Sequence, residues 1–263
     1  VKKLYSYSFD AWTDGMNEVT ATSLYALSIQ IFMDKTGLDE NDLANLTINN
    51  RNNACLNPGA HLKLKHTQEE IINSPVISSP YRRLHCSPLS DGAASIILSN
   101  KISSKRKTAP SIIGIGSAND KVNLGARDEI GEFKSKKLAM KKACQMAQVL
   151  PSEIGFAEVY DAYAGAQFQA INALGLSNNF LKDFRDGVFN LDGKLPINIS
   201  GGLMGQGAPV GATGVGQTAT CAMVLEGNYH DKLQISLIPK FALADTHGGV
   251  GTNAAVSILK SNV

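Results

Sequence analysis

The sequence has few cysteines, few aromatic residues and no long apolar run. Its four cysteines are widely spaced among 263 residues and form no C-x-x-C pair, so neither a disulfide framework nor a zinc site is predicted. No apolar run reaches about 18 residues, the length expected of a membrane-spanning helix. These absences predict reduced thiols, no bound metal, no membrane span and a cytoplasmic location.

Neither sign of charge dominates the chain. The 25 basic and 23 acidic residues give a formal net charge of +2 and are scattered along the sequence. A polyanion partner would require a concentrated basic surface, so nucleic acid binding is not predicted. The basic stretch 101–107 is interpreted as a solvated loop.

Helical and strand patterns alternate along the chain, which predicts an α/β layered fold. Residues 51–84 are polar and irregular and are interpreted as an excursion from that fold, and 176–196 as a connector. The predicted helices are 19–34, 134–149 and 164–174, together with one capped by Asp39 or Asn41 and one from about Val210. The first of them ends before Gly37. The predicted strands are 91–98, 111–116, 156–161, 233–241 and 254–259.

A glycine-rich run from Asn198 to Gly214 is the most informative segment: N-I-S-G-G-L-M-G-Q-G-A-P-V-G-A-T-G. Glycines let a backbone approach a ligand closely, and the N-terminus of a following helix offers unpaired N–H groups to an anion or a carbonyl oxygen. Taken alone, such a loop also suits a tight connection between a strand and a helix. The segments around this run decide between a ligand-binding loop and a structural connection.

This run resembles the N-x-S-G-G-x-x-x-x-G-H-P-x-G-A-T-G signature of thiolases. Residues 50–58, 84–94 and 158–163 resemble segments of the sterol-carrier-protein and archaeal thiolases in the same order, and 246–251 resembles their C-terminal glycine turn. The resemblance begins at about Thr22. It implies a thiolase-like fold, a mixed sheet with helices on both faces. Residues 91–263 would form the C-terminal α/β domain, and residues 1–90 the end of an N-terminal region and a loop excursion over the pocket.

Thiolases form or cleave a carbon–carbon bond beside a coenzyme A thioester. Their cysteine nucleophile carries the acyl group, a base removes a proton from carbon, and hydrogen-bond donors hold the thioester oxygen. The resemblance therefore implies a coenzyme A thioester as substrate and no other cofactor. In the family the nucleophile lies in the N-terminal half, ahead of where this chain begins.

Several catalytic positions of the family are altered here. The G-H-P histidine falls on Ala208, the H-D-C-F motif falls on Tyr160 to Tyr163, and the C-terminal cysteine has no counterpart. The remaining catalytic candidates are Tyr160, Asp161 and His247. Tyr160 could donate to an oxyanion or act as acid or base. His247 could be a donor or a base, or could only cap the glycine turn.

Candidate substrate-binding residues lie in the glycine loop and in the excursion. The loop candidates are Ser200, Gly201, Gly202, Ala208 and Pro209. Lys63, Lys65 and His66 are candidates for the phosphates of coenzyme A, because the corresponding excursion of thiolases contacts that molecule. Cys86 is interpreted as a packed structural thiol.

Three functions stay open at this point. The first is acyl transfer, or carbon–carbon bond formation or cleavage, on a coenzyme A thioester with an N-terminal half that is separate or missing; the Val at position 1 predicts a processed or partial chain. The second is a non-catalytic subunit that binds acyl-CoA. The third is a tyrosine-dependent retro-aldolase on a β-hydroxyacyl-CoA, as in thiolase-like steroid side-chain aldolases with Tyr in this motif. The resemblance implies a homo- or hetero-oligomer and a possible zinc-containing OB-fold partner.

Overall fold

The computed structural model describes residues 10–17, 19–100 and 108–262. Two capped helices come first: α1 (Ala21–Thr36) and α2 (Glu40–Leu56). The side chains of Thr20 and Asp39 accept hydrogen bonds from the first turn of each helix, and left-handed Gly37 (φ 74°) ends α1. These are the expected chemistries of helix ends. The prediction of both helices is confirmed, with Asp39 as the cap of the second.

The excursion after α2 is more ordered than predicted. It contains a short helix, α3 (Gln68–Ile72), and a small antiparallel hairpin of β1 (Val76–Ser78) and β2 (Tyr81–Arg82). The predicted start of the irregular segment at residue 51 was wrong, because α2 continues to Leu56. Two of the asparagines that weaken its helical pattern, Asn50 and Asn53, are buried and find polar partners elsewhere in the fold.

A four-stranded sheet forms the centre of the fold. Its strands are β3 (Ser111–Asn119), β4 (Phe156–Glu158), β5 (Phe241–Gly248) and β6 (Asn253–Lys260), in the order β3-β6-β5-β4. β4 is parallel to β5, whereas β6 is antiparallel to both β5 and β3. The predicted mixed sheet is confirmed.

Helices cover both faces of this sheet. Leu243 of β5 belongs to the larger core, which includes Ala139 of α4 (Lys134–Ala147). Its neighbour Ala244 belongs to a second core with Val224 of α8 (Thr213–Leu225). Successive side chains of a strand point to opposite faces, so α4 and α8 lie on opposite sides. Three shorter helices complete the fold: α5 (Ala164–Ala173), α6 (Phe180–Arg185) and α7 (Gly202–Gln206).

Helix α4 approaches β3 closely at two glycines. A Cβ atom at Gly116 would lie 2.0 Å from the carbonyl oxygen of Ala139, and one at Gly114 would lie 2.4 Å from that of Ala143. Any larger residue would push the helix away from the sheet.

Two predicted strands were wrong. Residues 91–98 are exposed and form no strand, because a strand needs a neighbour and the described residues offer none there. Residues 233–240 form an irregular segment, and the strand begins only at Phe241. Leu233 and Ile235 are buried in the second core, so their apolar pattern reflects that packing and not a strand.

Smaller corrections concern the connectors. Residues 176–196 contain α6, and the helix predicted from about Val210 begins at Thr213. The basic stretch 101–107 lies outside the described residues. In the part of the chain that is described, no helix has the length and apolar character needed to cross a bilayer.

Candidate functional site

A network of buried polar side chains anchors the start of the glycine loop. Asn198, in a left-handed conformation (φ 54°), accepts from the backbone N–H of Val159 (2.7 Å) and donates to Gln167 (2.9 Å). Asn50 of α2 donates to the same Gln167 oxygen (2.8 Å) and to Asp161 (2.9 Å). Buried polar groups are costly unless paired, so this network ties α2, the segment after β4 and the loop into one rigid unit.

Ser200 is held by the carboxyl of Glu158 at the end of β4. Its Oγ donates to Oε2 (2.6 Å) and its backbone N–H donates to Oε1 (3.1 Å). Burial raises the pKa of Glu158 to about 7, against the opposing effect of these hydrogen bonds. The Ser200 side chain therefore links the glycine loop to the end of β4.

Asp161 lies beneath the N-terminus of α7. It accepts from the backbone N–H of Leu203 (2.7 Å) as well as from Asn50, and a Cβ atom at Gly202 would lie 2.2 Å from its carboxyl. Burial raises the pKa of Asp161 well above its usual range, although both hydrogen bonds oppose the shift. Gly201 has φ 101° and approaches Ala54 of α2, so Gly201, Gly202 and Asp161 fit together without space for larger side chains.

Tyr160 and His247 lie together where β4 and β5 end. Their ring centroids are 4.4 Å apart, and the ring centroid of Phe133 lies 5.2 Å from that of His247. His247 is buried; burial first, and then the positive charges of Lys136 and Arg127, lower the pKa of its imidazole well below the usual value. A neutral imidazole is therefore available beside a phenol, which suits hydrogen bonding to a carbonyl or hydroxyl group.

Tyr25 of α1 joins this pair and was missed by sequence reasoning. Its hydroxyl forms a hydrogen bond with Nε2 of His247 and another with the carbonyl oxygen of Gly249 (2.8 Å). Tyr25 and His247 are 222 residues apart in sequence, and Tyr25 sits on an ordinary apolar helix face. No local pattern in the sequence marks it.

A buried ion pair lies next to the same cluster. Lys136 of α4 donates to Asp245 of β5, and both side chains are fully buried. Asp245 also accepts from the backbone N–H of Tyr160 (3.3 Å), so the pair fixes the backbone at this tyrosine. Sequence reasoning missed it, because Lys136 belongs to a lysine-rich helix that is typical of a solvated surface.

Of the other loop candidates, Pro209 lines a cleft of about 210 Å³ and Ala208 contacts Ser90, which also lines it. Ala208 donates its backbone N–H to Ser90 Oγ (3.1 Å), and His61 forms a hydrogen bond with the same oxygen (2.9 Å). Pro209 lines the cleft beside Gly92, and Glu158 and Gln217 line its inner wall. Ala208 itself is buried and has only a methyl side chain.

The basic candidates of the excursion lie apart from the residues that line this cleft. Lys63 is exposed and donates to the carbonyl oxygen of Pro58 (2.6 Å), Lys65 is exposed, and His66 lies 3.7 Å from Glu70. Cys86 is partly buried, and burial raises the pKa of its thiol to about 11, which disfavours the reactive thiolate.

Comparisons with known proteins agree with this architecture. The family description "Thiolase C-terminal domain-like" matches residues 116–261. The acetyl-CoA acetyltransferase of Methanothermobacter thermautotrophicus is 34% identical over 91% of this chain, which spans 63% of that relative. Sterol carrier protein 2 of Gallus gallus is 30% identical over 74% of this chain, which spans 37% of that relative. The chain thus spans less than two thirds of the length of these curated relatives.

Two solved structures have the same fold. The Ltp2-ChsH2(DUF35) aldolase is 22% identical and superposes with a TM-score of 0.80 over 96% of this chain and 66% of its own. A monomeric SCP2-thiolase like protein from Mycobacterium smegmatis is 17% identical, with a TM-score of 0.66 over 92% of this chain and 52% of its own. Since the family description matches more than half of the sequence, the chain belongs to the thiolase family.

Proposed function

We propose that the chain is part of a thiolase-like protein that transfers acyl groups, or forms or cleaves carbon–carbon bonds, on a coenzyme A thioester. The observation that supports this proposal is the pairing of Tyr160 with His247 at the end of the sheet. Asp161, the neighbour of Tyr160, accepts a hydrogen bond from the backbone N–H of Leu203 in the glycine loop. The pair is therefore held in a fixed position relative to that loop.

Each residue of the pair supplies a group that the chemistry needs. The phenol of Tyr160 can donate a hydrogen bond to the thioester oxygen as it becomes an enolate, and His247 offers a neutral imidazole. Gly201, Gly202 and Pro209 would border the acyl group. Ala208 contributes no side-chain chemistry at the position of the G-H-P histidine, so catalysis would depend on Tyr160, which stands at the histidine position of the H-D-C-F motif.

The proposed assembly has further parts. An N-terminal thiolase half would supply the nucleophile, the loop excursion within residues 1–90 would cover the pocket, and Lys63, Lys65 and His66 would bind the phosphates of coenzyme A. The name of the structurally similar Ltp2-ChsH2(DUF35) aldolase includes a DUF35 component, which supports an accessory protein here, such as a zinc-containing OB-fold partner. We place the oligomeric assembly in the cytoplasm.

A second candidate function is retro-aldol cleavage of a β-hydroxyacyl-CoA. Two observations favour it: a tyrosine occupies the family's histidine position at residue 160, and an aldolase shares the fold with a TM-score of 0.80. In this reaction the β-hydroxyl proton leaves, the Cα–Cβ bond breaks to give a carbonyl compound, and the resulting thioester enolate takes up a proton.

The test is a product analysis of the assembled protein by mass spectrometry. It would be incubated separately with an acyl-CoA plus free coenzyme A, a β-ketoacyl-CoA plus free coenzyme A, and a β-hydroxyacyl-CoA. Acyl exchange or thiolysis supports the first function, and cleavage of the hydroxy compound alone supports the second. Binding without turnover of any of the three would overturn both and leave the non-catalytic subunit.

The matched variants are Tyr160→Phe and Tyr229→Phe. Tyr160 is partly buried, whereas Tyr229 is buried and lies in the second core, away from the pair. We expect Tyr160→Phe to lower turnover by about 100-fold or more, and Tyr229→Phe to keep it within about threefold. Equal turnover of the two variants would remove Tyr160 from the mechanism.

A further inference from the structure

The hydroxyl of Tyr25 lies between two partners and has one proton to give. It is 2.8 Å from the carbonyl oxygen of Gly249 and forms its other hydrogen bond with Nε2 of His247. A carbonyl oxygen can only accept. The tyrosine proton therefore points at Gly249, and toward His247 the Tyr25 oxygen is the acceptor.

This arrangement specifies the protonation of the imidazole. Nε2 must carry a hydrogen, because the oxygen that faces it is an acceptor. Burial and the neighbouring charges of Lys136 and Arg127 lower the pKa of the ring and keep it neutral, and a neutral imidazole has one N–H only. Nδ1 consequently carries a lone pair.

Nδ1 is the one ring atom left for a ligand. It is buried, and it has no hydrogen-bond partner within the described part of the chain. Contacts with the rings of Tyr160 (4.4 Å between centroids) and Phe133 (5.2 Å) restrict rotation of the imidazole. A buried acceptor that is fixed in direction and unpaired is unfavourable until a donor reaches it.

We infer that Tyr25 is a positioning residue that holds His247 in its Nε2–H tautomer, and that Nδ1 accepts a hydrogen bond from a hydroxyl or N–H group of the bound thioester. This inference rests on the proposed function and deepens it, because it makes His247 an acceptor and not a donor. A β-hydroxyl group satisfies Nδ1. A β-keto oxygen is itself an acceptor, so it cannot pair with Nδ1, and both atoms are left without a donor.

The first test reads the tautomer directly. The assembled protein would be labelled with ¹⁵N-histidine, and the His247 signals would be assigned by their loss in His247→Phe. We expect an unprotonated Nδ1 and a protonated Nε2 in the wild type, and a mixture of tautomers in Tyr25→Phe. A protonated Nδ1 in the wild type, or an unchanged tautomer in Tyr25→Phe, would overturn the role of Tyr25.

The second test measures ligand preference by competition binding, using 3-hydroxybutyryl-CoA and acetoacetyl-CoA as probes. We expect the wild type to prefer the hydroxy compound by about tenfold or more, and His247→Phe and Tyr25→Phe to reduce that preference to about twofold or less. Equal affinities in the wild type would overturn the acceptor role of Nδ1. Neither readout requires turnover, so an inactive assembly with the expected tautomer would contradict the proposed catalysis and leave the positioning role intact.

Discussion

Glu158 gives the fold a specific pH dependence. Its folded-state pKa is about 7, whereas the unperturbed value is 4.5, so the folded protein retains a proton that the unfolded chain releases. The stability linked to this carboxyl is complete below about pH 4.5 and is lost as the pH rises through 7. Over that interval we expect the free energy of unfolding of the wild type to fall by roughly 3 kcal/mol more than that of Glu158→Gln.

Urea titrations at several pH values between 4.5 and 7.5 measure this difference. Glu69→Gln is the control, because Glu69 is an exposed carboxylate in α3 and its replacement should leave the wild-type pH profile unchanged. Parallel profiles for the wild type and Glu158→Gln would show that the buried carboxyl does not hold the proton.

The side chain of Asn50 also makes a defined contribution to the free energy of unfolding. Asn50→Ala deletes one of the donors to Asp161 and one of the donors to Gln167, so Asp161 keeps the hydrogen bond from Leu203 and Gln167 keeps the one from Asn198. We expect the free energy of unfolding to fall by about 2–4 kcal/mol. Asn52→Ala, on the exposed face of the same helix, should change it by less than about 0.5 kcal/mol, and equal effects of the two would contradict the network.

The sequence identifies some site residues and leaves others unrecognised for a physical reason. Tyr160, Asp161 and the glycine loop lie within segments that resemble motifs of the family, and this resemblance predicted them. Tyr25 acts through a contact across 222 residues, and Lys136 is buried against Asp245, 109 residues away in sequence. Such partners follow from tertiary packing, which no local spacing encodes.

At the scale of elements, the contact between α4 and β3 is the most sensitive to side-chain size. Gly116→Ala would place a methyl group 2.0 Å from the Ala139 carbonyl oxygen, so the helix must move. We expect a loss of about 2–4 kcal/mol in thermal or chemical denaturation. Ser117→Ala is the matched control because the neighbouring side chain is exposed; a loss as large as that of Gly116→Ala would contradict the close approach.

The longer helices and the strands β3 and β6 could be predicted because their signals are local. Capping residues mark α1 and α2, a terminal glycine marks the end of α1, and short apolar runs mark β3 and β6. The predicted strand 91–98 has the composition of a buried strand but lacks a neighbour in the described residues. Strand formation depends on a partner, which the segment's own sequence does not contain.

At the scale of the whole molecule, the same segment carries an exposed apolar surface. Ile97 is 97% exposed and Leu98 is 71% exposed, and apolar patches of this kind mark interaction sites. We therefore expect residues 92–98 of this segment to become a strand paired with the N-terminal half in the proposed thiolase-like assembly.

Hydrogen exchange measured by mass spectrometry is the decisive experiment for this assembly. The chain would be compared alone and together with the region from the same organism that corresponds to the first third of the archaeal acetyl-CoA acetyltransferases. We expect the amides of 92–98 to become protected by about 100-fold or more on assembly, because each gains a strand partner, whereas those of α3 should not change. Equally fast exchange of 92–98 in both samples would contradict the assembly.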